Sequence, residues 1–147
     1  AAAGSSYGGY LVAWMNGHTD RYKAYVCGAP GGYDWVSYMM SSDEVRWRER
    51  ELGAFPWQDP QKVLEHSPHW YAKNFKTPTL VIHGEQDYRV PVTQGFEYYS
   101  TLRMLGVPAR LLYFPDKGHV VLKPQNSRLQ YKEIFNWIEK YVGAGPS

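Results

Sequence analysis

The chain has 147 residues, of which 44% are hydrophobic and 20% are charged, a balance typical of one globular domain with a sizeable core. Lys and Arg number 16 against 14 Asp and Glu, which leaves a net charge of +2. The basic residues form no run, so we expect neither a nucleic acid nor a membrane surface as partner. No apolar run reaches the roughly 18 residues of a membrane span.

Strand and helix patterns alternate from the first residues onward. Residues 1–3 are predicted to end a strand, and the unusually apolar residues 6–17 predict a short helix packed against a sheet. Residues 25–29 (YVCGA) predict a buried strand, which the sequence Pro-Gly-Gly at residues 30–32 ends. The chain therefore begins with strand, helix and strand.

The segment from residue 30 to about residue 77 is rich in Trp, Tyr and Pro. We expect it to be irregular, with one helix near residues 43–52 and another that starts at Asp59. Irregular segments of this length usually run over the edge of a sheet and line a cleft.

The second half of the chain predicts two more strands and two more helices. Residues 79–83 (TLVIH) and 110–114 (RLLYF) are short apolar runs typical of strands. Pro91 suits the first position of a helix, and Gly106 suits its end. Apolar residues follow helical spacing in both helices: Val92, Phe96, Tyr99 and Leu102 in the first, and Tyr131, Ile134, Phe135, Ile138, Tyr141 and Val142 in the last.

The predicted order is thus strand, helix, strand, irregular cover, strand, helix, strand, helix. This alternation predicts an α/β fold with parallel strands and helices on both faces of the sheet. The order corresponds to the C-terminal half of a doubly wound, mainly parallel sheet.

Directly after the first strand, residues 4–8 (GSSYG) have the pattern G-x-S-x-G. In this pattern a tight turn lifts the central serine, here Ser6, out of the backbone as a nucleophile. Gly4 and Gly8 are expected there because a side chain at either position would collide with the neighbouring strand or helix. The backbone N–H of Tyr7 would supply one donor to an oxyanion. The alternative for Ser6 is a structural helix N-cap, and Ser5 is better explained as structural.

A serine hydroxyl also needs a base to take its proton and a third group to hold that base. Residues 84–87 (GEQD) follow the third predicted strand, and residues 115–119 (PDKGH) follow the fourth. They offer Asp87 as the acid and His119 as the base. The order serine, acid, histidine is that of the α/β-hydrolases. Glu85 and Asp116 are the alternatives for the acid.

Three blocks of the sequence resemble the motifs of the prolyl oligopeptidase family of serine peptidases: residues 4–10 (GSSYGGY), 83–91 (HGEQDYRVP) and 114–119 (FPDKGH). Three further blocks resemble the branch with the dipeptidyl-peptidases 5 and the acylaminoacyl peptidases: residues 53–60, 77–85 and 121–127. The resemblance runs from Ala1 to about Val142 and implies an α/β-hydrolase catalytic domain. It also implies that Ser6 is the nucleophile, Asp87 the acid and His119 the base.

The other four histidines have structural interpretations. His83 ends a strand and is expected beneath the acid loop, and His18 in a polar run is expected at the surface or at a helix end. His66 and His69 flank Ser-Pro in the irregular segment, and we expect no serine or acid arranged around them. None of the histidines has metal-ligand spacing, so we infer no metal and no cofactor.

Four side chains are candidates for the pocket that holds the residue before the scissile bond: Tyr7, Tyr33, Trp35 and Val90. Each could equally pack under a loop. The sequence leaves two roles open for Arg89: it is either a charged residue at the surface or a residue that contacts the substrate.

The resemblance implies that a β-propeller and the first half of the hydrolase domain precede this region in the family. We therefore expect residues 1–147 to be the C-terminal part of a larger catalytic domain. Its partner would be the missing N-terminal half, which in this fold carries the second oxyanion donor. A second copy of the chain, in a homo-oligomer, is a further candidate partner, because an unpaired edge strand can pair with another chain. The cellular compartment stays unknown.

The sequence thus predicts a serine peptidase that cleaves short peptides through an acyl-enzyme. Release of N-terminal dipeptides is the first expectation, and release of acylated amino acids is the second. A carboxylesterase with the same triad is an alternative. An alternative of another class is a non-catalytic association module or inactive fragment, in which the triad never assembles.

Overall fold

The computed structural model describes residues 1–143. Its four strands are Ala2–Ser5 (β1), Tyr25–Gly28 (β2), Thr79–Gly84 (β3) and Ala109–Phe114 (β4). Its α-helices are Tyr7–His18 (α1), Trp35–Ser41 (α2), Val45–Leu52 (α3), Pro60–Glu65 (α4), Val92–Met104 (α5) and Pro124–Val142 (α6), and Pro68–Asn74 form a 3₁₀ helix. Within residues 1–143, no helix combines the length and the apolar character that a bilayer crossing requires.

All four strands pair in parallel, in the order β1, β2, β3, β4. Cys27 of β2 lies opposite Gly4 on one side and Val81 on the other, and Val81 lies opposite Leu111. The carboxyl ends of the strands therefore meet at one edge of the sheet, where ligands bind in open α/β sheets. This arrangement confirms the predicted α/β class. In the described part of the chain, β1 pairs with β2 alone and forms one edge of the sheet.

Helices cover both faces of the sheet because consecutive strand residues point to opposite sides. On one face, Cys27 and Val81 pack in a core cluster with residues of α1 and α5, among them Val12 and Tyr98. On the other face, Val26, Leu80 and Ile82 pack in a cluster with Trp137 of α6. The two central strands, β2 and β3, are buried on both faces and largely apolar for this reason, as buried parallel strands are.

The segment that we expected to be irregular contains more helix than the sequence predicted. Two expected helices are present as α3 and α4, but α2 and the 3₁₀ helix were not predicted. The carboxylate of Asp34 accepts a hydrogen bond from the backbone N–H of Val36 at 3.0 Å and so caps α2. An N-capping acid before an aromatic run is the signal that could have indicated this helix.

Two predicted apolar stripes are wrong in part. In α5 the buried positions include Gly95 and Tyr98, whereas Phe96 is 38% exposed. In α6, Ile134, Ile138 and Tyr141 pack on the core cluster around Trp137, but three other members of the stripe are exposed: Tyr131, Phe135 and Val142. Helical spacing defines a broad stripe, but only the sheet decides which part of it is covered.

Candidate active site

The turn between β1 and α1 holds Ser6 in an unusual backbone conformation. Its φ is 60° and its ψ is −118°, and its N–H donates to the carbonyl of Gly28 at 3.0 Å. A positive φ is costly for a residue with a side chain and is concentrated at functional turns. The Ser6 hydroxyl makes no capping hydrogen bond to the helix. The hydroxyl therefore does not cap helix α1.

The glycines around this turn do not all serve the same purpose. A Cβ on Gly4 would clash with the backbone carbonyl of Gly8, so the expectation for Gly4 is confirmed. A Cβ on Gly8 would meet nothing within 4 Å, so the expectation for Gly8 is wrong. Gly9 is the second tight position, since its Cβ would meet the carbonyl of Gly28. It is Gly9 that lets α1 approach the end of β2.

Asp87 lies in the loop after β3 and is 2% exposed. Its Oδ1 accepts hydrogen bonds from the backbone N–H groups of Val90 at 2.8 Å and Arg89 at 3.1 Å. These bonds fix the orientation of the carboxylate and direct Oδ2 toward the loop that follows β4.

His119, in that loop, connects Asp87 to Ser6. The Nδ1 of His119 lies 2.9 Å from Oδ2 of Asp87, and its Nε2 lies 3.0 Å from Oγ of Ser6. A carboxylate can only accept a hydrogen bond, so Nδ1 carries the proton and Nε2 is free to accept one from the serine. Three loops thus bring a hydroxyl, an imidazole and a carboxylate into one hydrogen-bonded chain.

The electrostatics of this chain favour an ionised carboxylate. Burial alone would raise the pKa of Asp87, but the polar hydrogens of His119 and His83 and the backbone N–H of Val90 outweigh burial. The pKa of Asp87 is therefore held well below its ordinary value. A fixed negative charge at this position stabilises an imidazolium at His119.

The two rival acids lie elsewhere. Glu85 is exposed. Asp116 accepts hydrogen bonds from Lys123 at 2.6 Å and Asn126 at 2.8 Å, and so joins the turn after β4 to the start of α6. Neither carboxylate makes a hydrogen bond to His119 in the described part of the chain.

In residues 1–143, none of the remaining histidines hydrogen-bonds to Ser6. His83 is fully buried beneath the acid loop, as expected, and its Nε2 donates to the carbonyl of Val90 at 2.8 Å. His18 stacks on Trp14 at 4.0 Å between ring centroids. His66 faces the carbonyl of Lys62. Among residues 1–143, no three His, Cys, Asp or Glu side chains come together as metal ligands.

For His69 the expectation that no acid lies nearby is wrong. Its Nδ1 lies 4.0 Å from Oδ1 of Asp34 and 3.2 Å from the carbonyl of Tyr33. The acid comes close because Asp34 caps α2, a helix that the sequence did not predict. The ring therefore links the 3₁₀ helix to the start of α2.

The oxyanion donor expected from the sequence lies at the first position of α1. In the described structure, the Tyr7 N–H donates to no other residue, as the first amides of a helix do not have an intrahelical acceptor. This N–H directly follows Ser6 and is available to an oxygen that carries developing negative charge.

A cavity of about 290 Å³ adjoins Ser6. Of the expected pocket residues, Tyr7 and Trp35 line it. Tyr33 and Val90, by contrast, are 1% and 0% exposed and belong to two different core clusters. Both residues therefore have a packing role, which is the alternative that the sequence left open.

The sequence did not point to the charged residues of this cavity, which are Arg48 and Glu51 of α3. Arg89, which the sequence left open, pairs with Asp43 at 2.8 Å and Glu44 at 3.0 Å. It therefore joins the acid loop to the amino end of α3. The alternating charges of residues 44–51 were the available signal, but they are equally typical of a solvated helix.

The comparison with protein families covers almost the whole chain. The model of the prolyl oligopeptidase family (Peptidase_S9) matches residues 1–145. The chain belongs to this family. The resemblance seen in the three motif blocks is thereby confirmed.

Curated relatives carry the name dipeptidyl-peptidase 5. That of Porphyromonas endodontalis is 34% identical over 144 residues, which are 95% of this chain and 21% of the relative. That of Porphyromonas gingivalis is also 34% identical, over 96% of this chain and 21% of the relative. The chain thus spans about a fifth of the length of these relatives.

Solved structures show the same fold. The acylaminoacyl peptidase of Pyrococcus horikoshii aligns with a TM-score of 0.89 and 29% identity, over 99% of this chain and 24% of that one. A puromycin-hydrolysing peptidase of Mycobacterium tuberculosis aligns with a TM-score of 0.90 at 23% identity, over 98% of this chain and 22% of that one. The α/β-hydrolase fold of the peptidases therefore extends to this chain.

Proposed function

We propose that this chain carries the catalytic triad of a serine peptidase, with Ser6 as nucleophile, His119 as base and Asp87 as the acid. The observation that supports the proposal most directly is the unbroken chain of hydrogen bonds between them, at 3.0 Å and 2.9 Å. The conformation of Ser6 and the charge of Asp87 agree with these roles.

The reaction proceeds in two halves. Ser6 Oγ attacks the carbonyl carbon while His119 Nε2 takes the hydroxyl proton, and the oxyanion forms beside the Tyr7 N–H. His119 then gives that proton to the leaving amine, the C–N bond breaks, and an ester to Ser6 remains. Water attacks the ester, with His119 again taking the proton, and the acid product leaves as the serine regains its hydrogen. Asp87 stays ionised and orients the imidazole throughout.

The substrates that we propose are short peptides, from which the enzyme releases N-terminal dipeptides. Relatives at 34% identity are named for that activity, whereas the solved structure at 29% identity is an acylaminoacyl peptidase. Release of an acylated amino acid is therefore the second candidate.

We further propose that residues 1–147 are part of a larger catalytic domain that supplies a second oxyanion donor. The relatives are about five times as long as the chain, and β1 has a free edge in the described sheet. A strand from the rest of the protein would complete that edge. A second copy of the chain is the competing occupant, and the molecular mass in solution distinguishes the two.

Hydrolysis by the natural polypeptide that contains this chain tests the proposal. Dipeptidyl anilides, acylaminoacyl anilides and p-nitrophenyl esters are compared in the wild-type protein and in Ser6→Ala. We expect the dipeptidyl anilide to have the highest kcat/KM and the Ser6→Ala variant to lose turnover of all three. Preferred turnover of the ester would identify a carboxylesterase, and no Ser6-dependent turnover would identify a non-catalytic module.

A further inference from the structure

Helix α2 is held in place by other segments rather than by the sheet. It has seven residues, fewer than an isolated helix needs to be stable in water. Its buried side chains pack in a core cluster with Leu52 of α3 and Val63 of α4, and this cluster includes no residue of the four described strands. The position of α2 therefore depends on its contacts with neighbouring helices and loops.

Gln94 of α5 makes one of these contacts, and its side chain is fully buried. Its Oε1 accepts a hydrogen bond from the backbone N–H of Asp34 at 3.0 Å, and its Nε2 donates to Oγ of Ser37 at 2.8 Å. A backbone N–H can only donate, so the atom that faces Asp34 is the amide oxygen. Asp34 caps α2, and Ser37 lies in its first turn. Both ends of one buried amide thus bind the same turn of α2.

A second fully buried polar side chain, Ser67, holds the same turn. Its Oγ accepts a hydrogen bond from the backbone N–H of Trp35 at 3.0 Å and donates to the carbonyl of Val63 at 2.8 Å. The first N–H groups of a helix have no acceptor inside the helix and need partners elsewhere. Side chains from two distant segments, α5 and the start of the 3₁₀ helix, therefore fix the amino end of α2.

The contact between α5 and α2 connects two parts of the active site. Helix α5 follows the acid loop, and Gln94 lies seven residues beyond Asp87. Helix α2 carries Trp35 and Tyr38, which line the cavity beside Ser6. The hydrogen bonds of Gln94 thus tie the wall of this cavity to the helix that follows the acid of the triad.

Building on the proposed function, we propose that Gln94 is a positioning residue of the peptidase. It holds the wall that α2 forms at a fixed distance from Ser6, and so sets the affinity for substrates that reach this wall. Among residues 1–143, Gln94 makes no hydrogen bond to a member of the triad, so it acts through α2 alone.

An apolar side chain could fill the space of Gln94 but could not replace its hydrogen bonds. It would leave the N–H of Asp34 and the hydroxyl of Ser37 without their partner, which is costly where water is excluded. The amino end of α2 would then shift to find other partners. A displacement of about 1 Å at a substrate contact can lower the rate by up to about 10²-fold.

The decisive variant is Gln94→Met, which keeps the length of the side chain and removes both hydrogen bonds. Two substrates are compared in the natural polypeptide that contains this chain. The first is a dipeptidyl anilide, the one that the wild type cleaves faster of those with Leu or Phe next to the scissile bond. The second is p-nitrophenyl acetate, whose acetyl group carries no side chain that could reach α2.

We expect kcat/KM for the anilide to fall about tenfold or more in Gln94→Met, chiefly through a higher KM. That for the acetate should stay within about twofold of wild type, because the triad is not displaced. An equal loss for both substrates would indicate a general loss of folded protein and would overturn the proposal. An unchanged ratio of the two kcat/KM values would overturn it as well.

The matched control is Gln125→Met, which replaces an exposed glutamine of α6 and should leave the ratio unchanged. Circular dichroism checks the fold of each variant. Should Gln94→Met fail to fold, Ser37→Ala is the milder test, since it removes the acceptor of Nε2 and keeps the bond to Asp34. It should lower the anilide-to-acetate ratio about threefold or more. An unchanged ratio in that variant would then overturn the proposal.

Labelling of Ser6 by a fluorophosphonate separates this inference from the proposed function. A wild-type protein that is not labelled at Ser6 contradicts the triad itself. A protein that is labelled at Ser6, but whose anilide-to-acetate ratio does not respond to Gln94, contradicts only the role of Gln94.

Discussion

Oδ2 of Asp87 lies 2.9 Å from Nδ1 of His119, although the two residues are 32 positions apart in the chain. They meet because β3 and β4 are adjacent and parallel, so the loops that follow them leave the sheet side by side. The other oxygen of Asp87 is held by the backbone of the acid loop. The carboxylate is thus a rigid acceptor that fixes which nitrogen of His119 carries the proton.

Replacing this acceptor should abolish most of the activity without unfolding the protein. In Asp87→Asn the amide can donate to Nδ1, which favours the wrong tautomer of His119, and kcat should fall by about 10³ to 10⁴-fold. Steady-state hydrolysis measures kcat, and circular dichroism checks the fold. The control is Asp116→Asn, the rival acid bound to Lys123, which should stay within about twofold of wild type. A comparable loss in both variants would contradict the assignment.

The glycines of the serine turn provide a second matched pair. Gly4→Ala should lower the free energy of unfolding by about 2 kcal/mol or more, because the new Cβ would clash with the backbone of Gly8. Gly8→Ala should be tolerated, since its Cβ enters open space, and alanine suits a helix interior better than glycine. Urea unfolding of both variants measures the difference. Equal destabilisation by the two substitutions would contradict the described turn.

The raised pKa of Glu97 predicts that the stability of the folded protein depends on pH. Burial, and then the carboxylate of Asp34, raise the pKa of Glu97 from 4.5 to about 7. The folded state therefore keeps a proton that the unfolded chain has lost, so stability is highest below pH ~4.5 and falls as the pH rises toward ~7. Glu97→Gln should raise the melting temperature at pH ~8 relative to wild type and change it little at pH ~4. The exposed Glu139→Gln is the control and should show no such dependence. A gain at pH ~4 equal to that at pH ~8 would exclude titration of Glu97 as the cause.

The isolated 147-residue chain should have little activity of its own. In its described part the free edge of β1 is unpaired, and Tyr7 offers one oxyanion donor where the fold uses two. Loss of one such donor costs about 10² to 10³ in kcat. Turnover of a dipeptidyl anilide by the purified chain at the rate of the full-length enzyme would contradict the proposed larger domain.

The sequence predicted much of this structure for a physical reason. Parallel strands buried on both faces are continuous apolar runs, so β2 and β3 stand out in the sequence, and β4 is marked by a further short apolar run although it is only partly buried. Since their carboxyl ends must share one edge, polar residues after each strand are expected to converge. The proximity of Ser6, Asp87 and His119 follows from that rule.

What the sequence did not predict depends on packing between distant segments. Helix α2 is short, and its apolar residues pack on loops and on α3 and α4 rather than on the sheet, so no clear periodicity marks it. Tyr33 and Val90 have aromatic and apolar side chains, which suit both a position in the core and a position in the wall of a cavity. Only the three-dimensional structure distinguishes these two positions. Arg48 is a buried cation in a highly charged stretch, and its burial depends on Tyr38 and on two carboxylates that the fold brings together.

The account depends most on the claim that His119 and Asp87 activate Ser6 as a nucleophile. Fluorophosphonate labelling of the natural polypeptide that contains this chain, followed by mass mapping of its peptides, tests the claim directly. We expect one adduct on Ser6 that is absent in Ser6→Ala and forms far more slowly in His119→Ala. Labelling of another residue, or a rate at Ser6 that does not depend on His119, would contradict the account.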